Sequence, residues 1–170
     1  EDNFKFVRDA GYLERDPEMF KRTFFSTAEN YKMFYEFVEA IKYIAKNNNE
    51  YDIVLRPHPE ENVKVWEIVL EEFPNIHVIR QDSITAWVKN AFAVMHHGCT
   101  TALEATISGK PLLTYTPFQM EYVQEIFNTL GYNIKSKEEL LIKVNDIFNS
   151  EKISNPNKME AKISETISKK

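Results

Sequence analysis

Two short stretches of the chain carry residue types that do chemistry at suggestive spacings. One is Arg56-Pro57-His58-Pro59, a histidine held between two prolines immediately after an apolar run. The other is His96-His97-Gly98-Cys99-Thr100-Thr101, where a second apolar run stops at two adjacent histidines and passes through a glycine and the only cysteine. Flanking prolines fix the backbone around His58 and lower the entropic cost of presenting its imidazole. In the second stretch a glycine followed by two hydroxyl residues leads into a helix-like pattern. The first amides of a helix have no intrahelical partner and its dipole favours an anion. Gly98 leaves room for a phosphate near the backbone, Thr100 and Thr101 supply hydroxyls, and His97 adds a donor that a neighbouring phosphate can charge. These features together suggest a diphosphate cradle; His96, at the strand end, reads as a core residue.

Glu104 sits six residues beyond Gly98, among Ala102, Leu103, Ala105 and Ile107. A carboxylate on so apolar a helix needs a partner. A ribose diol is one candidate and a buried lysine is the other. Arg56 has a similar choice between phosphate and a carboxylate such as Glu60 or Glu61. A metal site is not expected. His96 and His97 point to opposite faces of an extended chain, and no HxH, HExxH or CxxC spacing occurs. Nothing supplies a base and an orienting group for Cys99, which reads as a small buried residue near the helix start. The loop from Arg80 to Ser83 opens at the same edge and could offer its backbone to a nucleobase.

These turns have to be positioned by regular elements. Asp52–Arg56, Ile76–Ile79, Phe92–Met95 and Pro111–Tyr115 read as short buried strands, and Thr23–Ser26 as a further one. Between and after them, helical spacing covers Ala28–Lys46, Asn62–Phe73, Ser83–Lys89, Thr100–Ser108, Gln119–Leu130 and Lys137–Phe148. Ser83 and Ser136 stand where helix caps are expected. Strands of four to six residues alternating with helices predict a Rossmann-like doubly wound parallel sheet flanked by helices. In that architecture ligands bind beyond the carboxyl ends of the strands, where both chemical stretches lie. The expected organisation is a linker or packing segment over 1–22, a nucleotide-binding domain over 23–150, and a polar helix or tail over 151–170.

At 170 residues the chain is long enough for one substantial core. Its net charge of −5, with lysines and arginines scattered, argues against nucleic acid as a partner. A single cysteine forms no internal disulfide, which suits a reducing compartment. No apolar stretch approaches the roughly 20 residues that span a bilayer, and no secretory signal is visible. The chain starts at Glu1 rather than Met, and is expected to be processed or part of something longer.

Taken in order, "FFSTAEN", "IVLRPHPEEN" and "WEIVLEEFPNIHVIRQDSITAWVKNAFAVMHHGCTTALEATISGKPLLTY" resemble the carboxy-terminal domain of GT-B glycosyltransferases. The resemblance is closest to bacterial surface carbohydrate biosynthesis proteins of capsule and lipopolysaccharide pathways, and it runs from about Thr23 to Pro117. It implies a two-domain transferase with a nucleotide-sugar in the interdomain cleft, a glycan acceptor, and an amino-terminal GT-B domain missing from this chain. The nucleotide-sugar would be a substrate, with no cofactor and no metal. By that analogy His58 and the amides of Gly98, Cys99, Thr100 and Thr101 would hold the donor's phosphates, and Glu104 the ribose. Arg56 and His97 stand beside them as nucleotide- or phosphate-binding candidates on the reading of the residues alone. The implied location is cytoplasmic, at the inner face of the bacterial membrane, with peripheral membrane association of the full-length protein. Nucleotide-sugar 2-epimerases share the architecture, but this chain has His97-Gly98-Cys99-Thr100 in place of their Ser-Gly-Gly turn. A non-catalytic Rossmann-like interaction domain is the third expectation. No catalytic residue is assigned.

Overall fold

The computed structural model describes residues 2–121 and 125–154. Its amino-terminal part is helical. Helices α1 (Asp2–Asp9) and α2 (Tyr12–Arg15) lead into α3 (Pro17–Asn47), 31 residues long. Asp16 starts α3 by accepting the Met19 amide at 3.0 Å, and Pro17 occupies a first-turn position where its missing N–H costs nothing. The helix then runs straight through Thr23–Ser26, so the strand expected there does not form. Thr23 and Thr27 hydroxyls donate instead to carbonyls one turn back, at Met19 and Thr23. The segment over 1–22 is likewise no bare linker where it is described, since α1 and α2 pack on α3.

Only the second half of α3 enters the main core. Its buried residues Met33, Val38, Ala40, Ile41, Ile44 and Ala45 recur at helical spacing. Beyond it the chain alternates strand and helix: β1 (Ile53–Leu55) and α4 (Val63–Leu70), β2 (Ile76–Val78) and α5 (Ile84–Asn90), β3 (Val94–His96) and α6 (Thr101–Ile107), then β4 (Leu112–Tyr115). Asn62 and Ser83 cap α4 and α5 by accepting the amides of Lys64 and Thr85. The helix expected over Gln119–Leu130 is reduced among the described residues to a 3-10 turn, Glu125–Thr129; residues 122–124 of that expectation lie outside them. A fifth strand that the sequence did not announce, β5 (Tyr132–Ile134), precedes α7 (Lys137–Ser154), whose Ser136 accepts the Glu139 amide as a cap. The tail over 155–170 lies outside the described residues.

Every pairing among these strands is parallel. They form two sheets, β1–β2 with Ile53 opposite Ile76, and β3–β4–β5 with Val94 opposite Leu112 and Leu113 opposite Tyr132. Helices flank both, giving a mixed α/β fold of short parallel strands in two small sheets. β4 is buried at every position and its Leu113 and Tyr115 meet Ala40, Ile44, Leu140 and Phe148 in one core cluster. Trp66, Leu70, Val38 and Ile41 form a second, and Ile53 and Met95 pack against both. Among the described residues no helix is long and apolar enough to cross a membrane.

Candidate functional site

A cavity of about 2110 Å³ lies between the two sheets, reached by Ile53 and Leu55 of β1 and by Val94 and Met95 of β3. At the carboxyl ends of those strands it is lined by Arg56 to Pro59 of one chemical turn, by His97, Cys99, Thr100 and Thr101 of the other, and by Glu104; Gly98 is not among the lining residues. The topology thus brings together the residues that the sequence singled out. Their individual environments differ from one another.

Arg56 is committed to the protein. Its guanidinium donates to the carbonyls of Gln81 at 2.6 Å, Asp82 at 2.8 Å and Arg80 at 3.4 Å, and lies 5.9 Å from the centre of the Trp87 ring. Its partners are backbone carbonyls rather than a carboxylate, and through them it fixes the loop after β2. Within that loop Asp82 holds a left-handed φ of 66°, which a short polar side chain tolerates.

His58 is exposed, as its two flanking prolines suggest. Its backbone N–H donates to Glu61 Oε2 at 2.6 Å, its carbonyl accepts the Glu61 amide at 2.9 Å, and its Nδ1 accepts the Glu60 amide at 3.3 Å. An Nδ1 that accepts leaves the proton on Nε2, so His58 presents a donor. The carboxylate nearby at Glu61 stiffens the turn rather than leaving it to the prolines alone.

His96 and His97 part ways as the alternation of an extended chain requires. His96 is 3% exposed and belongs to the core, where the sequence puts it. The Thr114 hydroxyl donates to the Leu130 carbonyl at 2.5 Å, so its oxygen accepts from His96 Nε2 at 2.8 Å. Nδ1 of His96 is then a bare acceptor, buried without a partner. Burial, with His97 alongside, lowers the His96 pKa to about 4. His97 donates from Nδ1 to the Tyr115 carbonyl at 3.0 Å, with the Phe37 ring edge-on at 6.5 Å. Burial lowers its pKa, and the bond to Tyr115 offsets part of that. With that bond in place, the Nδ1 proton of His97 is in use by the Tyr115 carbonyl.

The Gly98 amide is also engaged. Gly98 adopts φ 58°, and its N–H donates to Asn128 Oδ1 at 2.7 Å. Cys99 is half-buried and carries a free thiol. Thr100 is exposed at the start of α6, and its side chain makes no capping bond, so capping does not account for its hydroxyl. Thr101 opens α6 and is half-buried. Glu104 accepts the Thr85 hydroxyl at 2.7 Å, a partner that is neither the ribose nor the lysine of the sequence expectation.

Three contributors escaped the sequence. Asn128, Thr85 and the Tyr115 carbonyl reach the site from 30, 19 and 18 residues away, and no local pattern signals such contacts. Among the described residues no group of three or more His, Cys, Asp or Glu gathers as metal ligands.

The fold and site define an α/β domain with a polar-mouthed cleft at the carboxyl ends of parallel strands. No family model, curated protein or solved structure matches the chain. Chemically, the mouth offers the His58 Nε2 donor, the Thr100 hydroxyl and the Glu104 carboxylate, while the Ala102 and Leu103 amides inside α6 already donate to the Cys99 and Thr100 carbonyls; it is a set suited to an anion bearing hydroxyls.

Proposed function

We propose that this domain is the donor-binding half of a GT-B type glycosyltransferase, which moves a sugar from a nucleotide-sugar to a bacterial surface polysaccharide. The two sheets are read as parts of one doubly wound sheet of order β2-β1-β3-β4-β5. In that order the chain proceeds outward from β1 in one direction to β2, and in the other through β3, β4 and β5. The reversal falls between β1 and β3, and open α/β sheets bind ligands at such a switch point.

The single observation that carries the reading is that the cleft between β1 and β3 is lined by the turns following those two strands. A diphosphate would lie between His58 Nε2 and the Thr100 hydroxyl, against the amides of Cys99, Thr100 and Thr101. Glu104, reoriented from Thr85, would accept a ribose hydroxyl. Arg56 contributes by shaping the loop from Arg80 to Asp82, against which a base could rest. The acceptor, the second GT-B domain and a location at the inner membrane face follow from the sequence resemblance and belong to the same proposal.

Titration of the full-length protein with CMP, CDP and UDP tests it. A nucleoside diphosphate is expected to bind, and His58→Ala and Thr100→Ala each to weaken it about tenfold, the worth of one good hydrogen bond. Failure of all three nucleotides to bind overturns the reading. A product assay with nucleotide-sugars then separates sugar transfer from epimerisation.

A further inference from the structure

The tautomer of His97 restricts what it can contact. A carbonyl oxygen only accepts, so the bond from Nδ1 to the Tyr115 carbonyl places the ring proton on Nδ1 and leaves Nε2 with a lone pair. Nε2 is buried and has no hydrogen-bond partner, although His97 lines the cleft between the sheets. A buried acceptor without a partner is costly, and a ligand that supplies a proton donor relieves it.

We infer that His97 accepts a hydrogen bond at Nε2 from a hydroxyl of the bound ligand, a ribose or hexose hydroxyl, and does not hold its phosphate. This rests on the donor-site reading above and refines it. A phosphate oxygen has no proton to give, so a lone pair directed at it repels. A sugar hydroxyl donates readily, and its own oxygen stays free to accept from the neighbouring turn. The phosphates are left to His58, which has the opposite tautomer: its Nδ1 accepts the Glu60 amide and its Nε2 donates. Two histidines at the same cleft are thus divided in labour by the backbone groups that their Nδ1 atoms meet. His97 Nε2 is closed to solvent in this structure. Its engagement therefore requires cleft-lining side chains to part as the ligand enters.

The test uses three probes: inorganic pyrophosphate without hydroxyls, UDP with a ribose, and UDP-glucose with a ribose and a hexose. In protein labelled with 15N-histidine, His97 is expected to show a protonated Nδ1 and a bare Nε2. On UDP or UDP-glucose binding Nε2 should shift toward a hydrogen-bonded nitrogen without becoming protonated. His97→Phe should weaken the hydroxyl-bearing probe about tenfold and leave pyrophosphate unchanged, and His97→Gln, whose Oε1 can take the Nε2 position, should recover most of the loss. Weakening of UDP as well as UDP-glucose assigns the hydroxyl to the ribose; weakening of UDP-glucose alone assigns it to the hexose. An imidazolium in the bound state, or an equal loss for pyrophosphate and the sugar probes, overturns the inference and leaves the donor site standing. Absence of binding by every probe removes both. The spectrum of the unsubstituted protein decides the tautomer even where His97→Phe fails to fold.

Discussion

The Asn128 side chain accepts the Gly98 amide at 2.7 Å, tying the turn after β3 to the 3-10 turn that precedes β5. This contact holds Gly98 at its left-handed φ of 58° and removes one amide from any anion in the cleft. Asn128→Ala should therefore destabilise the domain by about 1–2 kcal/mol, because a half-buried N–H loses its partner. Asn128→Asp, which still accepts, should recover most of that in a urea unfolding curve. Affinity for inorganic pyrophosphate should change less than twofold in either variant, since the anion is assigned to the Cys99, Thr100 and Thr101 amides. A large gain in Asn128→Ala would show that Gly98 competes for the phosphate after all.

Arg56 lends itself to an equally direct measurement. Its guanidinium spans the carbonyls of Arg80, Gln81 and Asp82 while covering Trp87, a geometry that a planar fork can reach and an ammonium cannot. Arg56→Lys should lose about 1–2 kcal/mol and Arg56→Met about 2–3 kcal/mol, in line with hydrogen bonds to a charged group. Trp87 donates to the Gln81 carbonyl at 3.1 Å and reports on the same loop. Its fluorescence should redshift in both variants as the loop loosens. An unchanged denaturation midpoint in Arg56→Met would return the arginine to the role of a phosphate ligand awaiting its substrate.

The sequence disclosed some of this architecture and concealed the rest for identifiable reasons. The strands β1 to β4 were legible because each is a compact apolar run closed by a turn signal, and Asn62, Ser83 and Ser136 marked helix starts correctly. The first half of α3 was not, because Phe24 and Phe25 stay exposed and form no apolar stripe that repeats at helical spacing. Read locally, Thr23-Phe24-Phe25-Ser26 has strand composition, and a helix begun by Asp16 and Pro17 overrides it. β5 was invisible because Tyr132-Asn133-Ile134 is short and two of its three residues are exposed; it exists by pairing with β4. At the site, the positions of His58 and Thr100 were readable from turn chemistry. The tautomer of His97 and the occupation of the Gly98 amide were not, because both depend on residues distant in sequence.

Two glycines should respond differently to the same substitution. Gly131 and Gly109 both hold left-handed φ values, 75° and 64°. At Gly109 an added Cβ meets nothing within 4 Å, so Gly109→Ala carries only the backbone cost, about 1–2 kcal/mol. At Gly131 a Cβ would lie 2.4 Å from the Leu112 carbonyl oxygen, at the point where the chain enters β5 beside β4. Neither backbone can yield without breaking the ladder, so Gly131→Ala should cost more than about 3 kcal/mol. Thermal melts of the two variants compare these directly, and equal melting temperatures would mean that the chain entering β5 does not pack closely against Leu112.

The buried histidine pair predicts how stability depends on acidity. His96 titrates near 6.5 when unfolded and is lowered to about 4 in the folded chain, chiefly by burial. His97 is lowered as well, by the same cause. Between these limits the unfolded state binds a proton that the native state refuses, so stability increases with pH. The histidine contribution is fully present above pH 6.5 and is lost progressively as the pH falls toward 4. For His96 alone the loss is on the order of 3 kcal/mol, since each tenfold drop in proton affinity is worth about 1.4 kcal/mol. His96→Gln can still donate to Thr114 but takes up no proton in this range. Its unfolding free energy should therefore vary less between pH 6.5 and 4 than that of the unsubstituted chain, even though its stability at pH 7.5 is somewhat lower. Urea curves at closely spaced pH values measure both slopes, and identical slopes would place the acid sensitivity on groups other than His96.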